Sequence, residues 1–169
     1  MREANADSAE GDGGRSGVAI PDSVRRFCCA ELTADDEGVA AELMTVDEHG
    51  WPQVAHLSAG EFFLDERGAF RLALWTTSRS NANLRATRRG TLIFTAPEGL
   101  YEIRCRTRAV CALPGSLALD AFLLVPLDIR DKSAPYAEIV SGIRYRYRDT
   151  EASVAHWRLV RESLARCHE

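Results

Sequence analysis

No apolar run in this sequence approaches the roughly 18 residues that a membrane-spanning helix requires, and Met1 to Ser16 carry neither the basic start nor the apolar centre of a secretory signal. A cytoplasmic protein is therefore expected. Positive charge is not in excess either: 21 Lys and Arg stand against 25 Asp and Glu, for a formal net charge of -4 and a pI near 5.6. This balance excludes a general attraction to nucleic acid or to an anionic membrane, and no local basic patch with base-reading side chains makes up for it. Cysteine pairs at zinc spacing are missing as well. The five cysteines, Cys28, Cys29, Cys105, Cys111 and Cys167, include no CxxC and no histidine at ligand spacing, so no structural zinc site is expected. Cys105 and Cys111, six apart in a strand-like run, would face one side of a sheet as buried free thiols.

What is present suffices for one core. With 169 residues, 46% of them hydrophobic, a single domain is the default. Residues 1–18, with Gly11, Gly13, Gly14 and Gly17 among acidic and small side chains, have too little apolar surface to repay ordering and read as a tail, leaving 19–169 as the domain. Pro21-Asp22-Ser23 opens a helix that stops before Gly38, with Val24, Phe27, Cys28 and Leu32 at helical spacing. The period then changes. Ala40 to Val46 and Trp51 to Leu57 form a hairpin about the turn Asp47-Glu48-His49-Gly50, with Pro52 at its strand's start. Glu61 to Leu64 and Ala69 to Trp75 form a second about Asp65-Glu66-Arg67-Gly68, and a helix follows from about Ser80 to Arg88. A third joins Thr91 to Thr95 and Tyr101 to Leu113 through Pro97-Glu98-Gly99. Its long strand sets Tyr101, Ile103, Cys105, Thr107 and Ala109 against Glu102, Arg104, Arg106 and Arg108, one buried face and one wet, so these arginines read as a solvated face rather than a polyanion site.

Leu117 to Ile129 would suit a helix but for Pro126, and is read as a long strand bent there. Asp131 to Val140 is a loop with a short helical turn, and Gly142 to Arg148 alternates as a strand. Asp149 to Cys167 is an amphipathic helix capped by Asp149 or Thr150, with Val154, Trp157, Val160 and Leu164 inward. About eight strands in hairpins with few helices predict a mainly β fold, a closed barrel with helices packed outside.

The most informative stretch is Leu74-Trp75-Thr76-Thr77-Ser78-Arg79-Ser80-Asn81-Ala82-Asn83-Leu84, where an apolar strand runs into small hydroxyls, one arginine and a helix. A helix start leaves several backbone N–H groups unpaired and carries partial positive charge, so these side chains suit a phosphate monoester. Equally, Ser78 or Ser80 could simply cap the helix, and one serine can do both.

The order of these pieces resembles the flavin-binding split-barrel superfamily that includes pyridoxamine 5'-phosphate oxidase. The matching segments are the opening hairpin Ala41 to Val54, the segment Trp75 to Leu84 and the long strand after Leu100, together covering about Val24 to Arg148. Ser78-Arg79-Ser80 followed by Asn83-Leu84 looks like that family's Ser-Arg-Lys pattern ahead of Asn-Leu. The resemblance implies a split β-barrel homodimer with FMN in clefts between subunits. Ser78, Arg79 and Ser80 would hold the phosphate, with Asn83 and Arg85 as second candidates. The backbone of Val54, Ala55, His56 and Leu57, and of Trp75, Thr76 and Thr77, would border the ring, and Glu102 would approach from the partner subunit.

Departures from the pattern narrow the expected function. Ser80 stands where the family's lysine adds a charge, and the oxidase's cations near Leu57, Ser58, Phe62 and Phe63 and its arginine-bearing C-terminus have no counterpart, which argues against pyridoxamine 5'-phosphate oxidation. An FMN-dependent oxidoreductase of open substrate is the leading expectation, the flavin carrying the redox chemistry. A non-enzymatic module that binds flavin or haem for carrying or sensing is the alternative, and a structural dimer without ligand a third. No catalytic side chain is required; His56 is the best candidate among the histidines.

Overall fold

The two four-residue turns set the register of the first half of the chain, and in the computed structural model, which describes residues 17–29, 40–96, 98–114 and 117–167, they are built alike. Asp47 Oδ1 accepts from the N–H groups of His49 (2.9 Å) and Trp51 (2.8 Å), and Gly50 takes φ 85°. Asp65 Oδ1 accepts from Arg67 (3.0 Å) and Ala69 (2.9 Å), and Gly68 takes φ 80°. The aspartate satisfies the turn's amides while glycine supplies the left-handed backbone. These turns join β1 (Ala40–Val46) to β2 (Pro52–Ser58) and β3 (Phe62–Leu64) to β4 (Phe70–Trp75). Pro52 begins its strand, as expected. The expected tail, apart from Gly17 and Val18, lies outside the described residues, as do Leu32 with the end of the first helix, Pro97 and His168.

Helix α1 (Asp22–Cys29) precedes the strands; α2 (Arg79–Thr87) follows β4, then come β5 (Arg89–Ala96), β6 (Gly99–Ala112), β7 (Leu119–Asp131) and α3 (Thr150–Arg166). The seven strands make one antiparallel sheet in the order β2-β1-β5-β6-β7-β4-β3. The sheet is curled, since Leu57 of one edge strand and Phe62 of the other share a core with Leu43, Phe94, Ile103 and Phe122. The Phe62 and Phe94 ring centroids are 5.7 Å apart although β3 and β5 are far apart in sheet order. The fold is therefore mainly β with flanking helices, a split barrel.

Closure of eight strands does not occur. The edges β2 and β3 are joined in sequence by the 3-10 turn Ala59–Glu61 rather than by a ladder, and Phe27 of α1 makes edge contacts with Phe62 (6.0 Å) and Phe94 (5.4 Å), packing across the seam. The eighth strand expected at 142–148 is no strand. It meets the sheet at isolated points instead: Ala40 N–H donates to Ile143 O at 3.0 Å, Arg144 makes a single bridge, and the Tyr145 side chain reaches Ser58 of β2.

A bulge corrects the expectation for Cys111. Thr107 opposes Leu124 while Ala109 opposes Leu123, so Arg108 is an extra residue and every side chain beyond it changes face. Cys105 stays a buried free thiol in the barrel core, but Cys111 faces outward under α3 and is bonded to Cys167. A second register slip, between Arg104 and Cys105, falls at Pro126 and Leu127, where the bend was expected. The outer face of β7 is covered by α3 of the same chain, which packs Val160 and Leu164 on Ala73, Leu119 and Ala121. The successive apolar residues of this strand thus find cover within the chain. Asp149 caps α3, accepting from Ala152 N–H at 3.0 Å. No helix among the described residues is long and apolar enough to cross a membrane.

Candidate functional site

Where β4 ends at Trp75, the chain turns through Thr76 and Thr77 into α2, and the cap reading holds: Ser78 Oγ accepts from Asn81 N–H at 3.2 Å. The N–H groups of Arg79 and Ser80 precede any intrahelical acceptor and point out of the helix start. Thr76, Thr77 and Arg79 are exposed, Ser78 is half-buried, and Ser80 is only 3% exposed, so its hydroxyl sits inside the first turn rather than beside the guanidinium. Arg79 makes no ion pair among the described residues, but Asp47 feels its charge. Asp47 lies below the usual carboxylate range chiefly because Trp51 N–H, and then His49 N–H, donate to it, with Arg79 adding to the effect. The β1–β2 turn therefore stands beside the start of α2.

The helix is fastened on both flanks by buried amides. Asn83 Nδ2 donates to Thr45 Oγ1 of β1 at 3.0 Å, and Asn81 Nδ2 donates to Asp120 Oδ2 of β7 at 2.8 Å. Arg85 donates to Asn81 Oδ1 at 2.9 Å and to Asp120 Oδ2 at 2.6 Å. Burial pushes the Asp120 carboxyl up, yet the hydrogen bonds from Arg85 and Asn81 and the charge of Arg85 outweigh it and hold the group below its usual range. Leu84, fully buried, anchors the helix in the core. Asn83 and Arg85, second candidates for a phosphate, are thus engaged within the chain.

On β2, Ala55 and Leu57 face the core, whereas Val54 and His56 lie on the outer face of the sheet. His56 Nδ1 is 4.0 Å from Glu42 Oε1, its cross-strand partner, and its side chain is 52% exposed. Glu102, on the same outer face, is held by Arg104 (2.8 Å) and Lys132 (3.5 Å), and the Arg104 hydrogen bond leads in lowering its pKa. The structure gathers Ser78, Arg79 and Ser80 at one point and sets His56 and Glu102 elsewhere on the sheet's outer face.

Sequence reasoning missed an aromatic neighbour of the β4 end. His156 of α3 stacks nearly parallel to Trp75, 9° between planes and 6.4 Å between centroids, and sits edge-on to Trp157 at 4.7 Å. His156 Nε2 and Trp157 Nε1 are buried without a partner among the described residues. His156 is three residues before Leu159 on a helix read only for its apolar stripe, and nothing local marks it; Asp120, an acid inside the apolar run Leu117 to Val125, was the legible signal for the α2 fastening.

No family model matches the chain. The uncharacterized protein YclD of Bacillus subtilis (strain 168) is 31% identical over 127 residues, covering 73% of this chain and 81% of YclD. The chain belongs to the YclD family. Among solved structures, an FMN-binding protein from Syntrophomonas wolfei subsp. wolfei aligns at 14% identity and TM-score 0.47 over 65% of this chain and 88% of its own. The haem storage protein HutZ from Vibrio cholerae aligns at 13% identity and TM-score 0.46 over 70% of this chain and 95% of its own. Likeness at this level concerns the path of the chain alone. The functional reading of this YclD relative rests on its own residues.

Proposed function

We propose that the start of α2 seats the phosphate of FMN, that a homodimer completes the cofactor cleft, and that the protein is an FMN-dependent oxidoreductase whose substrate the chain leaves open. One observation carries this reading: the first-turn N–H groups of Arg79 and Ser80 open a helix whose exposed Arg79 has no ion pair among the described residues, and which is fastened at Asn81 and Asn83. Donors that are already oriented bind a dianion without paying to be ordered. When bound, FMN would supply hydride or electron transfer. The chain's part is to hold the phosphate at Arg79 and to border the ring with the backbone of Val54 to Leu57 and Trp75 to Thr77. His56 and, approaching from the second copy, Glu102 stand as further candidates. Support for a second copy comes from the outer face of β1 and β2, where Met44 (36% exposed) and Val54 (41%) are cross-strand partners beside the exposed Val46 and Trp51.

Titration with FMN, followed by flavin fluorescence, tests the seat. A charge-assisted hydrogen bond is worth about 1.5–3 kcal/mol, so Arg79→Ala should weaken binding roughly 10- to 150-fold. Unchanged affinity would reject the assignment. Bound flavin absorbs near roughly 370 and 450 nm, and consumption of reduced nicotinamide under air separates an oxidoreductase from a carrier.

A further inference from the structure

Beyond the far end of α2, about 12 Å from Arg79 at 1.5 Å per helical residue, lies an open cleft of about 360 Å³ lined by Thr87, Arg88, Arg89, Arg106, Thr107 and Arg108. Its four arginines come from different places. Arg88 caps α2 in the left-handed conformation (φ 56°), Arg89 opens β5, Arg106 is its direct cross-strand partner on β6, and Arg108 is the bulged residue. Among the described residues none of these four guanidinium groups has an acidic partner, and no acid lines the cleft. Acids elsewhere on the outer face are engaged: Glu102 by Arg104 and Lys132, Asp128 by Arg130, while Glu42 lies 4.0 Å from His56.

Of the nearby backbone carbonyls, Leu84 O accepts from Arg88 N–H, Arg88 O from Thr107 N–H, and Asn83 O from the Thr87 hydroxyl at 2.8 Å. Like charges set directly opposite on neighbouring strands are destabilising. The helix C-terminus favours a cation within its own last turn, which accounts for Arg88 but for neither Arg106 nor Arg108 on β6. A bulge re-aims the side chain at its extra residue, here adding Arg108 to the cluster.

We infer that this cleft binds a multiply charged oxyanion of the phosphate or diphosphate class, at a site distinct from the α2 start. Guanidinium groups pair bidentately with such oxygens, and the volume exceeds the roughly 30 Å³ share of a single water many times over. The inference stands independently of the FMN seat, because it uses none of the same side chains.

Calorimetric titration of the full chain with inorganic diphosphate at fixed ionic strength tests it. Arg106→Gln and Arg88→Gln should each weaken binding about tenfold or more, while Arg67→Gln on the β3–β4 turn should leave it within twofold. Without diphosphate, Arg106→Gln should melt at or above the wild-type temperature, since a like-charge pair is relieved, and with diphosphate it should gain less than the wild type. Absence of binding, or binding that survives both glutamine variants, overturns the inference. Loss with Arg79→Ala alone would place the anion at the α2 start and also overturn it. Inorganic phosphate and a phosphate monoester, run as separate titrants, show whether the site takes the free ion or a phosphorylated molecule.

Discussion

Replacing Asp120 with alanine tests whether α2 is held by satisfied buried polar groups. Asp120 is 5% exposed and accepts at a single oxygen from Asn81 Nδ2 (2.8 Å) and Arg85 (2.6 Å). In Asp120→Ala the amide of Asn81, only 1% exposed, is left without its acceptor. An orphaned buried donor costs about 1–3 kcal/mol. Arg85 is 50% exposed and can turn to water, so its lost ion pair adds at most about 1 kcal/mol. A total of about 1–4 kcal/mol corresponds to a fall in Tm of roughly 2–16 °C for a chain of this size. Asp120→Asn keeps an oxygen for Asn81 and should cost under about 1 kcal/mol. The pH dependence has a definite sign. Because the folded carboxyl lies below its unfolded value near 3.9, its contribution is fully present above that value and is lost as pH falls through the folded one. The stability gap between wild type and Asp120→Ala should therefore be flat at neutral pH and narrow below about pH 4. Urea unfolding across pH measures it. If Asp120→Asn costs as much as Asp120→Ala, charge rather than amide satisfaction holds the helix and the reasoning fails.

Other expectations follow from single sites. On the opposite flank, Thr45→Val leaves Asn83 Nδ2 unpaired and should cost about 1–3 kcal/mol by the same measurement; a neutral result would show that Asn83 reaches water. Glu61, pushed up to about 7 mainly by burial against the hydrogen bonds from Ser58, contributes stability present below its unfolded value and lost as pH rises through the folded one. Stability of the wild type relative to Glu61→Gln should thus decline between about pH 4.5 and 7.5, and a pH-independent difference in Tm would contradict the assignment. Gly60→Ala would place a Cβ 2.2 Å from Cβ of Trp157, so α3 must shift, at about 1–3 kcal/mol or more; an unchanged Tm would show that α3 does not press on this turn. For the proposed homodimer, Tm should rise with protein concentration, and sedimentation of a flavin-loaded monomer at low micromolar concentration would refute the shared cleft.

Much of the architecture was written locally. The two Asp-x-x-Gly turns, the three hairpins, Pro52 at a strand start, the Ser78 and Asp149 caps and the inner stripe of α3 each depend on residues within a few positions of one another, where φ preferences and short side-chain hydrogen bonds decide. The order of strand and helix at Trp75 to Leu84 likewise belongs to the sequence, because a cap and a helix start are local events.

Tertiary structure decided what parity and spacing cannot carry. One extra residue at Arg108 turned Cys111 from the core to the α3 face, since a strand's period of 2 loses its phase at a bulge. The segment 142–148 has strand alternation but makes isolated contacts with the sheet rather than a ladder, and alternation alone does not supply backbone partners. Asp120 meets Asn81 and Arg85 across 39 and 35 positions, and Arg88 and Arg89 meet Arg106 and Arg108 only because β5 pairs with β6. The sequence by itself determined the local elements and the loop proposed here to seat a phosphate. The partners of those elements, and hence which charges find an acidic partner and which do not, are set by contacts between distant positions that only the folded chain brings within hydrogen-bonding distance.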